Sequence, residues 1–161
     1  MSPKMIVTKL NGGLGNQLFE YACARNLQLK YSDTLFLDIE GFRRSPRHYS
    51  LSNFVLDEDV KVLPLNKSRS LLFWQALSKT NEGLAFRIAK LFGVYLWKTP
   101  TYKEITIGDT NRKNLYLYGY WQSELYFKEH AEQIRKELRI KTDPTSESQP
   151  FLYEIQQRPL Y

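Results

Sequence analysis

Three glycines fall within four residues at Gly12-Gly13-Leu14-Gly15, directly after an apolar run, Met5 to Leu10, and directly before a helix-like run, Leu18 to Lys30. Glycine accepts positive φ and carries no Cβ, so such a stretch turns sharply and leaves its main chain open to a ligand. A helix starting near Asn16 would add unpaired N–H groups and the positive end of its dipole at the same place, which suits a phosphate or a sugar hydroxyl. Asn16 and Gln17 bring two adjacent amides that a plain turn does not require. A tight strand-to-helix turn that binds nothing is the competing reading.

The stretch matches the dinucleotide fingerprint G-x-G-x-x-G only in part, because Leu18 occupies the third glycine position. It also lacks the Lys-Ser/Thr pair of a P-loop. Thr34 to Ile39 reads as a second strand, which gives strand, glycine turn, helix, strand. That is the opening unit of an α/β fold with a Rossmann-like parallel sheet flanked by helices, where ligands bind beyond the carboxyl ends of the strands. Asp38 closes the second strand 23 residues after Gly15, near the spacing of an acid that takes a ribose hydroxyl, so an NAD(P)-type dinucleotide site stays open. An Asp that ends a strand by bonding nearby N–H groups fits equally well.

Further along, Gly41 to Tyr49 gathers Arg43, Arg44, Arg47 and His48 around Pro46, a mobile basic loop by composition. Its arginines can clamp a diphosphate, or simply face solvent. Leu71 to Leu77 and Gly83 to Lys98 read as helices, the second with Arg87, Lys90 and Lys98 on one side. That face suits either solvent or an anionic membrane surface. Leu115 to Trp121 reads as a strand, with Ser123 as N-cap of a helix whose face is Phe127, Ala131, Ile134 and Leu138. Tyr120, Trp121 and Gln122, at that strand's end, form a second candidate site. Residues 1–140 are expected to form one Rossmann-like domain, and 141–161 a linker, with a further helical turn at Phe151 to Gln157.

The charge of +6 favours anionic partners without choosing among a nucleotide diphosphate, a membrane surface and nucleic acid. No recognised nucleic-acid motif accompanies it. The lone Cys23 cannot form an internal disulfide and reads as a buried filler. No stretch has the roughly 18 apolar residues of a membrane span, and Met1 to Lys9 is too polar for a signal peptide, so a cytoplasmic chain is expected, with at most peripheral contact to an inner membrane. Neither histidine, His48 or His130, has catalytic or metal-ligand spacing, and no carboxylate pair can be assigned as acid and base.

Gly12-Gly13-Leu14-Gly15-Asn16-Gln17-Leu18-Phe19-Glu20-Tyr21-Ala22 resembles the N-terminal signature of the α-1,2-fucosyltransferases, with Glu20 in place of the usual Gln. Gly119-Tyr120-Trp121-Gln122-Ser123-Glu124-Leu125-Tyr126-Phe127 resembles a second block of that family, with Leu125 in place of Lys. Leu37-Asp38 and Tyr49-Ser50-Leu51-Ser52-Asn53-Phe54 fit its looser pattern. The resemblance implies the N-terminal half of a B-type glycosyltransferase. It also implies inverting transfer of L-fucose from GDP-fucose to the 2-hydroxyl of a galactose-terminated glycan, with no metal required. Gly12, Gly13, Gly15, Asn16, Gln17, Tyr120, Trp121 and Gln122 are the substrate-binding residues it implies. The family's donor-binding segment, His-x-Arg-Arg-Gly-Asp-Tyr, is absent from the sequence. The expectation is therefore a chain that ends before the donor-binding half and transfers fucose weakly or not at all alone.

Overall fold

A computed structural model describes residues 5–64, 95–97 and 114–141, with only the backbone described at 95–97. Strands β1 (Met5–Lys9), β2 (Thr34–Asp38), β4 (Val60–Val62), β5 (Tyr95–Trp97) and β6 (Leu115–Leu117) form one sheet in the order β4-β2-β1-β6-β5, and every described pairing in it is parallel. Helix α1 (Leu14–Tyr31) joins β1 to β2, and helix α2 (Ala131–Glu137) packs beside it. A two-stranded antiparallel ribbon pairs β3 (Phe54–Val55) with β7 (Arg139–Ile140). The α/β fold with a Rossmann-like parallel sheet is as expected.

The central position of β1 follows from its sequence. Ile6, Val7 and Thr8 are all buried, as a parallel strand covered on both faces requires. Ile6 and Leu10 join the larger core with Tyr21, Leu27, Leu35, Leu37, Leu115 and Leu117. Val7 turns to the opposite face and meets Tyr116 and Leu63. On α1, residues 21 to 28 are buried without a break, including Arg25, Asn26 and Gln28. A helix buried all round needs a partner for each polar group. Arg25 donates to Glu137, Asp57 and the Gln28 side chain, at 2.6–2.9 Å. Asn26 meets the His130 ring at 2.9 Å. Cys23 is fully buried, and burial pushes its thiol pKa well up.

Several boundaries differ from the sequence reading. Helix α1 starts at Leu14, because Gly13 is extended and serves as its N-cap, a role glycine accepts. It ends where Ser32 takes left-handed backbone and its N–H returns to the Gln28 carbonyl, 2.8 Å. Strand β2 stops at Asp38, one residue early, and β6 stops at Leu117. Ser123 caps only a short 3-10 turn, Glu124–Tyr126, and α2 begins at Ala131 after a second such turn, Lys128–His130. Tyr95–Trp97, read as the end of a helix, is strand β5, held by parallel pairing with β6. The remaining predicted helices at 71–77 and 83–94, and the linker from 142 on, lie outside the described residues.

The basic loop opens with a short turn and is pinned to the core by two of its rings. Glu40–Arg44 forms a 3-10 turn, and the Phe42 and Tyr49 rings pack 6.3 Å apart against the core.

Candidate functional site

In an open parallel sheet, ligands bind beyond the carboxyl ends of the strands. Here β1 and β6 are parallel neighbours in the middle of the described sheet, so their carboxyl ends lie side by side. The glycine turn follows β1 and the segment Tyr118 to Ser123 follows β6. The two candidate stretches, more than a hundred residues apart in sequence, therefore meet at the same edge of the sheet. A direct bond joins them: the Gln122 side-chain amide donates to Asn16 Oδ1 at 2.8 Å.

Only Gly12 uses glycine's conformational freedom, with φ +69°, and a Cβ there would collide with the Asn16 amide. Gly13 and Gly15 have no such reason to be glycine. A Cβ built on either meets nothing within 4 Å. Their bareness leaves the first turn of α1 open, with no acidic residue in that turn and no capping side chain. Its leading N–H groups therefore face outward at the positive end of an 18-residue helix.

Gln17 is fully buried and its amide is committed to backbone. Its Nε2 donates to the carbonyls of Gly12, 3.1 Å, and His48, 2.9 Å, while Oε1 accepts the Ser50 N–H at 2.8 Å. It holds the glycine turn against the segment 48–50. Asn16 is half-buried, while Tyr120 and Gln122 are exposed. Trp121 is buried at φ +51°, its ring edge-on to Tyr126 at 5.1 Å. Left-handed backbone is unusual for a bulky residue and is sustained only where packing enforces it. Gly119 permits it, since a Cβ there would press on the indole at 3.3 Å. The buried indole thus anchors the backbone between Tyr120 and Gln122.

Two further residues escaped the sequence reading. The Asn11 N–H donates to Glu20 Oε2 at 2.8 Å, and the Asn11 amide reaches Glu20 Oε1 at 3.5 Å. Glu20 is fully buried, and burial pushes its carboxyl up to about 8, against the hydrogen bonds from Asn11 and the charge of Lys9. It latches the first residue of the turn from beneath. The available signal was its replacement of an expected Gln inside an otherwise matching block. Asp38 is fully buried and engaged, accepting the Tyr116 hydroxyl at 3.1 Å and the Glu40 N–H at 3.1 Å. That is the strand-ending role. Among the described residues no cluster of three His, Cys, Asp or Glu could hold a metal, and no helix is long and apolar enough to cross a membrane.

The chain is 25% identical over 135 residues to an α-1,2-colitosyltransferase of Escherichia coli, an alignment that covers 82% of this chain and 44% of that protein. The chain thus spans less than half the length of the relative it matches. No protein-family profile matches it, and no solved structure does.

Proposed function

We propose that this chain forms the glycine-turn wall of a glycosyltransferase that moves L-fucose, or a closely related deoxyhexose such as colitose, from a GDP-activated donor to the 2-hydroxyl of a galactoside. The observation that carries this reading is the amide bridge between Asn16 and Gln122 beyond the carboxyl ends of β1 and β6, beside two glycines that no packing contact demands. The likeness to a colitosyltransferase supports the same class of chemistry.

Inverting transfer needs a base for the attacking hydroxyl and positive groups for the departing diphosphate. In this reading the open first turn of α1 supplies part of the second need. Gly12, Gly13 and Gly15 bring the backbone close to the ligand. Asn16, Tyr120 and Gln122 contact it, and Gln17 and Trp121 hold those groups in place. Neither Glu20 nor Asp38 serves as the base, because both carboxylates are buried and bonded within the fold. The same burial argues against the dinucleotide alternative, whose ribose acid would be Asp38.

Amide chemical shifts of the 161-residue chain test the reading. Titration with GDP-fucose and with a β-galactoside is expected to move Gly13, Gly15, Asn16 and Gln122, while transfer by the chain alone stays weak or nil. Tight NAD(P) binding with no response to either sugar ligand would overturn it.

A further inference from the structure

We propose that the Glu40–His48 turn is a cationic flank of the glycine turn and binds the diphosphate of the ligand. The proposal deepens the function argued above and rests on it. Both ends of the turn are seated on the glycine segment. At one end, the space a Cβ on Gly41 would take lies 3.6 Å from Lys9 Cε, 3.9 Å from Asn11 Oδ1 and 4.0 Å from the Leu10 carbonyl. At the other, a single nitrogen of Gln17 bonds the carbonyls of both His48 and Gly12.

The turn between these anchors carries hydrogen bonds of its own. The Phe42 N–H reaches the Ile39 carbonyl at 3.1 Å, the Ser45 N–H the Phe42 carbonyl at 3.3 Å, and the Arg47 N–H the Ser45 hydroxyl at 3.1 Å. Pro46 stiffens the stretch between them. What this scaffold presents is cationic: Arg43, Arg44 and Arg47 are all exposed. Glu40 is the one acid within the turn, and it lies 3.6 Å from Arg43. Three guanidiniums carried on one turn raise the local positive potential, which favours an anionic ligand there. Planar guanidinium forks match phosphate oxygens bidentately, and the uncapped α1 N-terminus across the Gln17 bridge adds positive potential from a second direction. A diphosphate lying between the two turns meets both.

Calorimetry with inorganic pyrophosphate on the 161-residue chain tests this. The combined variant Arg43→Gln, Arg44→Gln, Arg47→Gln is expected to weaken pyrophosphate binding roughly tenfold or more. The charge-matched control Lys61→Gln, Lys128→Gln, Lys136→Gln, all exposed positions, is expected to stay within about twofold. Both variants alter only exposed side chains, and thermal melts confirm their folding. Equal losses in the two variants would overturn the proposal, as would absence of pyrophosphate binding to the wild-type chain. Pyrophosphate binding that ignores the arginines while GDP-fucose still shifts Gly13 and Gly15 would sink this site and leave the function standing. Arginine-dependent pyrophosphate binding with no response to galactoside or GDP-fucose would support the site and sink the function.

Discussion

Replacing Glu20 by Gln should make this protein more stable at neutral pH. Glu20 is fully buried and its carboxyl pKa is raised from 4.5 to about 8, chiefly by loss of solvent. In the unfolded chain the group ionises near its ordinary value, so from pH 4.5 upward the folded state holds a proton that the unfolded state has released. The stabilisation is complete below pH 4.5 and drains away as pH rises toward 8. At about 1.4 kcal/mol per pKa unit, roughly 3 kcal/mol is gone by pH 7 and about 4–5 kcal/mol above pH 8. Glutamine carries no titrating proton, yet its carbonyl oxygen can still accept the Asn11 N–H. Glu20→Gln should therefore match the wild type below pH 4.5 and exceed it by up to about 3 kcal/mol at pH 7, a rise of roughly 6–12 °C in melting temperature. Urea and thermal unfolding of both proteins at intervals from pH 4 to 9 give the difference directly. Stability profiles that run parallel between pH 5 and 8 would show that Glu20 does not titrate in that window, and the account of a neutral carboxyl beneath the glycine turn would be wrong.

Truncating Arg25 to Ala strips the shared partner from Glu137 and Asp57 and leaves two carboxylates facing each other under partial burial. A loss of about 3–5 kcal/mol is expected by urea unfolding, and a loss under 1 kcal/mol would mean that the cluster contributes little. The glycine turn gives a paired prediction. Gly12→Ala places a Cβ at left-handed backbone and against the Asn16 amide, so it should cost about 1–2 kcal/mol and erase the Gln122 bridge, read from the Asn16 side-chain resonances. Gly15→Ala meets open space in the first helical turn and should stabilise by a few tenths to about 1 kcal/mol, while weakening sugar-nucleotide binding. Unchanged binding in Gly15→Ala would refute the view that a ligand explains that glycine.

The opening unit of the fold was legible because its signals are local: β-branched Ile6 and Val7, the glycine turn, and an apolar helix all sit within one continuous stretch. The placement of β6 beside β1 was not, since strand order is a property of distant pairing. Tyr95–Trp97 misread as helix because a short apolar-aromatic run has no periodicity to separate the two states, and its pairing with β6 decided the matter. Ser123 misled in the same way: its hydroxyl does cap, accepting the Leu125 N–H at 3.3 Å, but the chain closes into a 3-10 turn first. At the site, Asn16 and Gln122 were both legible as polar groups beside turns, whereas their bond was not. The anchoring of the basic turn was not legible, because the residue that seats it, Gln17, lies on another element.

Gln17 has a consequence for how such a protein can change over time. The path of residues 48 to 50 is written 31 positions upstream, in a carboxamide that offers hydrogens to two carbonyls and an oxygen to one amide. A glutamate there has no hydrogens to give, and a leucine has neither hydrogens nor oxygen. The backbone path of the segment is therefore set from outside it, and survives changes among its own side chains provided that position 17 stays an amide.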